Sequence, residues 1–125
     1  MSLTITNLTK GKLPRLPFVK IVDAVLGKEY DCSLVIVSPR TSRKLNLEHR
    51  GKDNSTNILS FPLDKTSGEI FLDLAQARKE CAQFERSYQN FVGFLFIHGL
   101  FHLKGYDHSS TMERQEKKIR ALFKI

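Results

Sequence analysis

The chain has 125 residues, of which 41% are hydrophobic and 26% charged, and this balance predicts one globular domain over residues 1–125. The formal net charge of +7 suits either a polyanionic partner such as nucleic acid or simple solubility. Residues 91–103 are too few to span a bilayer, which takes about 20 apolar residues, and residues 1–10 do not match a secretory signal, so we expect a cytoplasmic protein with no membrane partner.

The first half of the chain predicts strands and helices in alternation. Residues 3–9 alternate imperfectly between apolar and polar side chains and predict a short strand. Apolar residues at helical spacing then run as far as Gly27, a natural helix stop, and residues 31–37 are a β-branched run typical of a buried strand. Ser38 and Pro39 are suited to the N-cap and first position of a second helix.

Two further strands are predicted after this helix, whose modest apolar face contains Leu45 and Leu47. Residues 56–61 predict a strand that Pro62 ends, because proline cannot donate a hydrogen bond to a sheet. Residues 69–72 predict the last strand of the chain.

Three helices are expected to complete the fold. From Asp73 onward the spacing is helical, and residues 88–104 are apolar nearly all round, which predicts a central buried helix with Phe91, Phe94 and Phe96 in the core. Ser109 resembles the capped start of a final helix that ends near Phe123. Four strands with about five helices predict an α/β domain of the layered α+β type. The apolar face of the helix after Asp73 is predicted to contain Leu74, Ala77, Cys81 and Phe84.

Three of the four histidines fall within eleven residues, at the spacing of metal ligands. A lone histidine on an apolar face is usually an ordinary core or surface residue, but His98 and His102 are four residues apart, so both project from one face of a helix. Gly105 can take the left-handed conformation that ends a helix, and the turn would bring His108 to the same ion. The fourth histidine, His49, is expected to be a surface residue.

Three imidazoles with an open fourth position are typical of catalytic zinc sites, so we expect one Zn²⁺ per chain. Nickel, cobalt or copper would bind the same atoms. Cys32 and Cys81 lack the paired spacing of a zinc knuckle and are predicted to be buried free thiols.

The histidine segment overlaps the metzincin protease signature at His98, His102, Gly105 and His108. A zincin protease has Glu directly after the first histidine as its general base, and here that position is Gly99. The prediction of a metal-dependent peptidase is therefore disfavoured.

Two segments of the chain carry a family resemblance. Residues 98–108 are His-Gly-Leu-Phe-His-Leu-Lys-Gly-Tyr-Asp-His, and Leu-Asn at 45–46 is followed by Arg-Gly-Lys-Asp at 50–53 and Thr-Asn-Ile-Leu-Ser-Phe-Pro at 56–62. Together with Gly-Glu-Ile at 68–70, they resemble the YbeY family, the bacterial metal-dependent endoribonucleases of rRNA maturation. The family usually has Leu in place of Phe at the fourth position of the first segment, and Asp in place of Glu in the last.

The resemblance implies an α/β sandwich with a four-stranded sheet and a metzincin-like metal site in a cleft. It implies single-strand-specific cleavage of RNA, processing of the 3′ end of small-subunit rRNA, and a role in ribosome quality control. The expected partners are therefore RNA and the small ribosomal subunit, not DNA. We assign the catalytic roles to Arg50 and His98 and the metal ligands to His98, His102 and His108.

The chemistry of these residues suits phosphodiester hydrolysis. A metal held by three neutral imidazoles can lower the pKa of a bound water to about 7 and can neutralise charge on phosphoryl oxygens. Arg50 is suited to clamp a phosphate bidentately, although without the resemblance it would be an ordinary surface cation. Ser60 either offers a hydroxyl to RNA or is an outward residue of its strand.

No carboxylate stands in an obvious general-base position. Asp107 either orients a ligand imidazole, caps the final helix or pairs with Lys104. The missing base keeps open an alternative function, a non-catalytic RNA-binding ribosome-assembly factor with a structural metal.

Basic residues form three groups, near the first helix, around the second helix and on the last helix. On the last helix, Glu116 precedes Arg120 by four residues, which suits a solvated, ion-paired face. We place the RNA track on the second group, because it adjoins Arg50 in the sequence, and we expect RNA binding to weaken steeply with salt. The track contains Arg40, Arg43, Lys44, Arg50 and Lys52.

Overall fold

A four-stranded mixed sheet forms the centre of the computed structural model, which describes residues 3–125. The strands stand in the order β1-β2-β4-β3, with β1, β2 and β4 parallel and β3 antiparallel to β4 at one edge. The predicted layered α/β fold with four strands and five helices is confirmed. The elements in chain order are β1 (Leu3–Asn7), α1 (Phe18–Leu26), β2 (Asp31–Ile36), α2 (Pro39–Arg50), β3 (Ile58–Asp64), β4 (Ser67–Leu72), α3 (Leu74–Glu80), a 3₁₀ turn (Cys81–Phe84), α4 (Tyr88–Leu103) and α5 (Ser110–Phe123).

The core lies between the sheet and α4, the predicted central helix. In β2 and β4 alternate side chains, including Leu34 and Ile70, are fully buried on one face of the sheet. Helix α4 packs against β3 and β4 on one side and against α1 and α5 on the other, so apolar residues around nearly its whole circumference are buried. Among residues 3–125 no helix is both long and apolar enough to cross a membrane.

The predicted helix ends are confirmed by their caps. Ser38 Oγ accepts a hydrogen bond from the backbone N–H of Thr41, and Ser109 Oγ accepts one from that of Met112. Gly27 follows α1 with a φ of +88°, a conformation that favours glycine.

The prediction that Pro62 ends its strand is wrong. Strand β3 begins at Ile58 and continues through Pro62 to Asp64, with a register shift between these last two residues. Because β3 is an edge strand, a proline there can be accommodated without losing a ladder hydrogen bond.

Two predicted apolar faces are only partly confirmed: Leu74 and Ala77 are buried and Leu45 is half-buried, but Phe84 and Leu47 are exposed. Helix α3 ends at Glu80, and the 3₁₀ turn that follows rotates Phe84 outward, so that its side chain is 49% exposed. Helix α2 leaves Leu47 exposed and buries the polar residues Ser42 and Asn46 instead.

The two cysteines differ in burial. Cys32 is buried as predicted, and burial raises the pKa of its thiol to about 12. Cys81 is only half-buried, which corrects the prediction that both thiols lie in the core.

Candidate metal centre

Three imidazoles meet at the end of helix α4. The Nε2 atoms of His98 and His102 are 3.1 Å apart, and each is 3.2 Å from Nε2 of His108. His98 and His102 are half-buried and His108 is exposed. The structure therefore brings together all three residues that the sequence predicted as ligands.

Gly105 produces the turn that completes this triangle. It has a φ of +104°, and the backbone N–H of Tyr106 donates to the carbonyl of Phe101 at 3.1 Å, which closes the end of the helix. The chain then reverses, and His108 faces the helical pair as predicted.

Hydrogen bonds fix the tautomers of two of the three imidazoles, those of His98 and His102. His98 Nδ1 lies 3.0 Å from Oε1 of Glu116, and His102 Nδ1 lies 3.1 Å from the backbone carbonyl of Tyr106. Both partners are acceptors, so each Nδ1 carries the proton and each Nε2 presents a lone pair to the centre of the triangle.

The converging lone pairs suit a cation. Without one, the unprotonated nitrogens of His98 and His102 would repel each other. A tetrahedral zinc ion held at about 2.0–2.1 Å would set its nitrogen ligands about 3.3–3.4 Å apart, close to the observed separations. Burial, followed by the nearby His98, lowers the pKa of His102, which favours the neutral form that a metal requires. The histidine cluster thus fits a metal site.

Glu116 contacts the histidine cluster, and sequence reasoning did not predict this contact. It lies on α5, is only 6% exposed, and has Nη1 of Arg120 at 4.0 Å from the oxygen that faces His98. The expected ion pair with Arg120 is present, but the expectation of a solvated face is wrong at this residue, because α5 turns it toward α4. The signal in the sequence is its spacing from Met112, since the two residues share the buried stripe of α5.

Among the described residues, Asp107 makes none of the three contacts that were left open for it: with a ligand imidazole, with the start of the final helix, or with Lys104. It is exposed, the N-cap of α5 is Ser109, and the carboxylate beside His98 belongs to Glu116. The helix-cap prediction for Asp107 is therefore wrong.

Arg50 and the three histidines line one open cleft of about 690 Å³. Arg50 is the last residue of α2, and its Nη1 is 3.5 Å from Oγ1 of Thr56 in the loop that precedes β3. His49 is exposed as predicted, yet it also lines the cleft, with its ring 4.6 Å from that of Phe61. Phe94 was expected in the core but is half-buried and lines the cleft as well.

Hydrogen bonds between polar side chains hold the loop between α2 and β3 in place. Asn46 Nδ2 donates to the carbonyl of Asn54 at 2.9 Å, and Asn57 Nδ2 donates to Oε1 of Glu80 at 2.7 Å. Arg43 pairs with Asp53 at 2.7 Å, and this hydrogen bond lowers the pKa of the exposed carboxyl group. These contacts position the loop beside Arg50.

Gly99 lies at a close contact between α4 and β3. A Cβ at this position would come within 2.8 Å of Ile58 Cδ1 and 2.9 Å of Ser60 Oγ, so a Glu here would require these two side chains to move. Ser60 points at the helix, because its hydroxyl donates to the carbonyl of Gly99 at 3.0 Å. The interpretation of Ser60 as an outward residue is therefore wrong.

Two relatives show how much of the chain is shared with known proteins. One is named endoribonuclease YbeY and comes from Alkaliphilus metalliredigens; it is 36% identical over 103 residues, which cover 74% of this chain and 66% of the relative. Another of the same name, from Helicobacter pylori, is 33% identical over 126 residues, which cover 98% of this chain and 89% of the relative.

A solved structure and a family model also match this chain. The solution structure of TM1509 from Thermotoga maritima aligns with a TM-score of 0.67 at 26% identity and covers 97% of this chain and 92% of that one. The family model described as endoribonuclease YbeY matches residues 14–124. The chain therefore belongs to the endoribonuclease YbeY family of hydrolases.

Proposed function

We propose that this protein is a metal-dependent endoribonuclease that cuts single-stranded RNA in the cytoplasm. Its proposed substrate is the 3′ end of small-subunit rRNA, and its proposed role extends to ribosome quality control. The observation that carries the proposal is that Arg50 and three converging imidazoles line the same cleft. Family membership supports RNA as the substrate class.

The ligands in this proposal are His98, His102 and His108, and the ion is one Zn²⁺. When bound, the ion supplies positive charge for the phosphoryl oxygens and a nucleophile at neutral pH. Glu116 and the carbonyl of Tyr106 hold two of the imidazoles in the tautomer that leaves Nε2 free.

Arg50 binds the phosphate beside the ion in this proposal. Its side chain is exposed, and in the described part of the chain no carboxylate pairs with it. A free guanidinium offers two parallel N–H donors to a phosphate, which a lysine cannot do. The transferring group would thus lie between Arg50 and the histidines.

The RNA track follows α2 toward this point. Arg40, Arg43 and Lys44 all lie on α2 and carry charge near its surface, although Arg43 is paired with Asp53. The helix is 12 residues long, about 18 Å. In this proposal its cations contact several phosphates of an RNA strand that runs along the helix to Arg50.

The test is cleavage of single-stranded RNA by protein purified without an affinity tag, with and without a chelator. Metal analysis of the same protein identifies the ion. We expect chelation and His102→Ala each to abolish cleavage, and Arg50→Ala to reduce it while the ion stays bound.

Two results would redirect the proposal. Cleavage that survives both chelation and His102→Ala would indicate a contaminating nuclease. Metal-loaded protein that binds RNA without cutting it would favour the assembly factor with a structural metal, since Asp107 is the sole carboxylate among the described residues that line the cleft.

A further inference from the structure

Phe84 is an exposed aromatic residue at the edge of the metal cleft. Its side chain is 49% exposed although the sequence pattern places it on an apolar face. It ends the 3₁₀ turn, and Glu85 after it takes a left-handed φ of +54° that carries the chain away. Single exposed hydrophobic side chains are ordinary on protein surfaces, so the inference depends on what surrounds this ring.

Two aromatic residues of α4 pack against the ring of Phe84. Phe91, which is fully buried, stacks under Phe84 with 4.8 Å between centroids and 27° between planes. Phe94 supports its side at 6.1 Å. One face of Phe84 is thus covered by the core, and the exposed fraction belongs to the opposite face and edge.

The ring lies near the histidines and beside a second groove. Phe91, beneath it, precedes His98 by seven residues on α4, about 10 Å along the helix axis. Phe84 also borders a second groove, which contains the cations Arg86 and Lys124 together with Glu85. The guanidinium of Arg86 packs on the Phe94 ring, and Lys124 is exposed. The ring therefore borders both the cleft of the histidines and a groove that contains cations.

We propose that the open face of Phe84 stacks on an unpaired base of the RNA, one or two nucleotides from the phosphate that is cut. Aromatic platforms bind bases of any identity, because every base has a π-face, and a base inside a duplex cannot reach one. Phe84 would thus select single-stranded RNA, and Arg86 and Lys124 would hold the phosphates beyond it. This inference rests on the proposed function.

The test compares Phe84→Leu with Phe84→Trp. Leucine keeps an apolar side chain over Phe91 but has no π-face, whereas tryptophan enlarges it. The probe is a short phosphorothioate-linked oligoribonucleotide, which resists cleavage, with 2-aminopurine inside it; binding to metal-loaded protein is measured through its fluorescence. The same strand annealed to its complement serves as the duplex. Leu122→Ala, which trims another exposed side chain outside the cleft, is the matched control.

We expect Phe84→Leu to weaken single-strand binding about 5-fold or more and to lose most of the fluorescence quenching, since one base stack is worth roughly that factor at least. Phe84→Trp and Leu122→Ala should bind as the unchanged protein does, and duplex binding should not respond to any of the three. Equal binding and quenching by Phe84→Leu would overturn the inference while leaving the proposed function intact. Protein that neither binds nor cuts RNA would remove both.

Discussion

At the scale of single residues, the candidate centre depends on what lies behind the imidazoles. His98 is oriented by a buried carboxylate that comes from a different helix, and His102 by a backbone carbonyl of the turn that follows it. A ligand imidazole free to rotate or to change tautomer loses affinity for its metal. Residues that would never touch an ion are therefore expected to affect how tightly this cluster binds one.

Removing the charge of Glu116 should weaken metal binding. We expect Glu116→Gln to reduce zinc affinity about 10- to 100-fold, because the amide accepts the Nδ1–H of His98 less strongly than the carboxylate does. The affinity is measured by competition with a chromogenic chelator. Glu113→Gln, on the exposed side of the same helix, is the control. Equal losses in both variants would contradict a specific role for Glu116.

The lowered pKa of His102 predicts how the metal-free protein responds to acid. Because its folded pKa lies below the unfolded value of about 6.5, the unfolded chain binds more protons between these two values. This contribution to the free energy of unfolding is complete above pH of about 6.5 and is lost as the pH falls through the folded pKa.

Denaturant unfolding of metal-free protein across this pH range measures the effect. His102→Gln, which cannot titrate, should show a shallower loss of stability than the unchanged protein. Curves of equal steepness would contradict the prediction.

At the scale of elements, the site depends on the close approach of α4 to β3. Gly99 lets the strand lie against the helix, and the hydroxyl of Ser60 fixes the two together at the carbonyl of that glycine. The strand that forms one wall of the cleft is thus positioned relative to the histidines by a residue that has no side chain.

Gly99→Ala should destabilise the protein by about 1–3 kcal/mol, because its methyl group must push Ile58 and Ser60 aside. Thermal unfolding measures the change. Gly11→Ala is the control, since a Cβ there would meet Thr9 Oγ1 at an ordinary van der Waals distance of 3.7 Å. A Gly99→Ala variant as stable as the control would show that the close approach relaxes without cost.

Much of the fold and the site could be predicted because the signals were local. Helix caps, the β-branched run of β2 and the spacing of His98 and His102 all depend on neighbours in the sequence. The misses depend on distant contacts. Proline is tolerated at position 62 because β3 is an edge strand, and Ser42 is buried because its hydroxyl donates to Asp73 at 2.7 Å. Glu116 could be connected to His98 only once α4 and α5 had been packed together.

At the scale of the whole molecule, the excess of positive charge should govern affinity for RNA. The net charge is +7, and α2, which ends at Arg50 in the cleft, has exposed cations along its length. Each phosphate neutralised by such a cation releases counterions, which makes binding depend on salt.

Arg40→Ala with Lys44→Ala should therefore flatten the salt dependence of RNA binding. We expect the logarithmic slope to fall by about 0.7 for each phosphate of a single strand that is no longer neutralised. Binding titrations over a range of salt concentrations measure it. Lys117→Ala with Lys118→Ala removes the same charge from an exposed part of α5. Identical slopes for the two double variants would locate the track elsewhere.

The proline within β3 has a consequence for what can dock beside the histidines. An open sheet edge next to a metal site is a template on which an extended peptide adds as a further strand, or on which two copies of a protein aggregate. Pro62 has no N–H to offer, and the register shift that follows it distorts the edge. Directly beyond the part of β3 that lines the cleft, the edge is therefore a poorer template for an added polypeptide strand, whereas an RNA strand, which binds through cations and ring faces, does not use these donors.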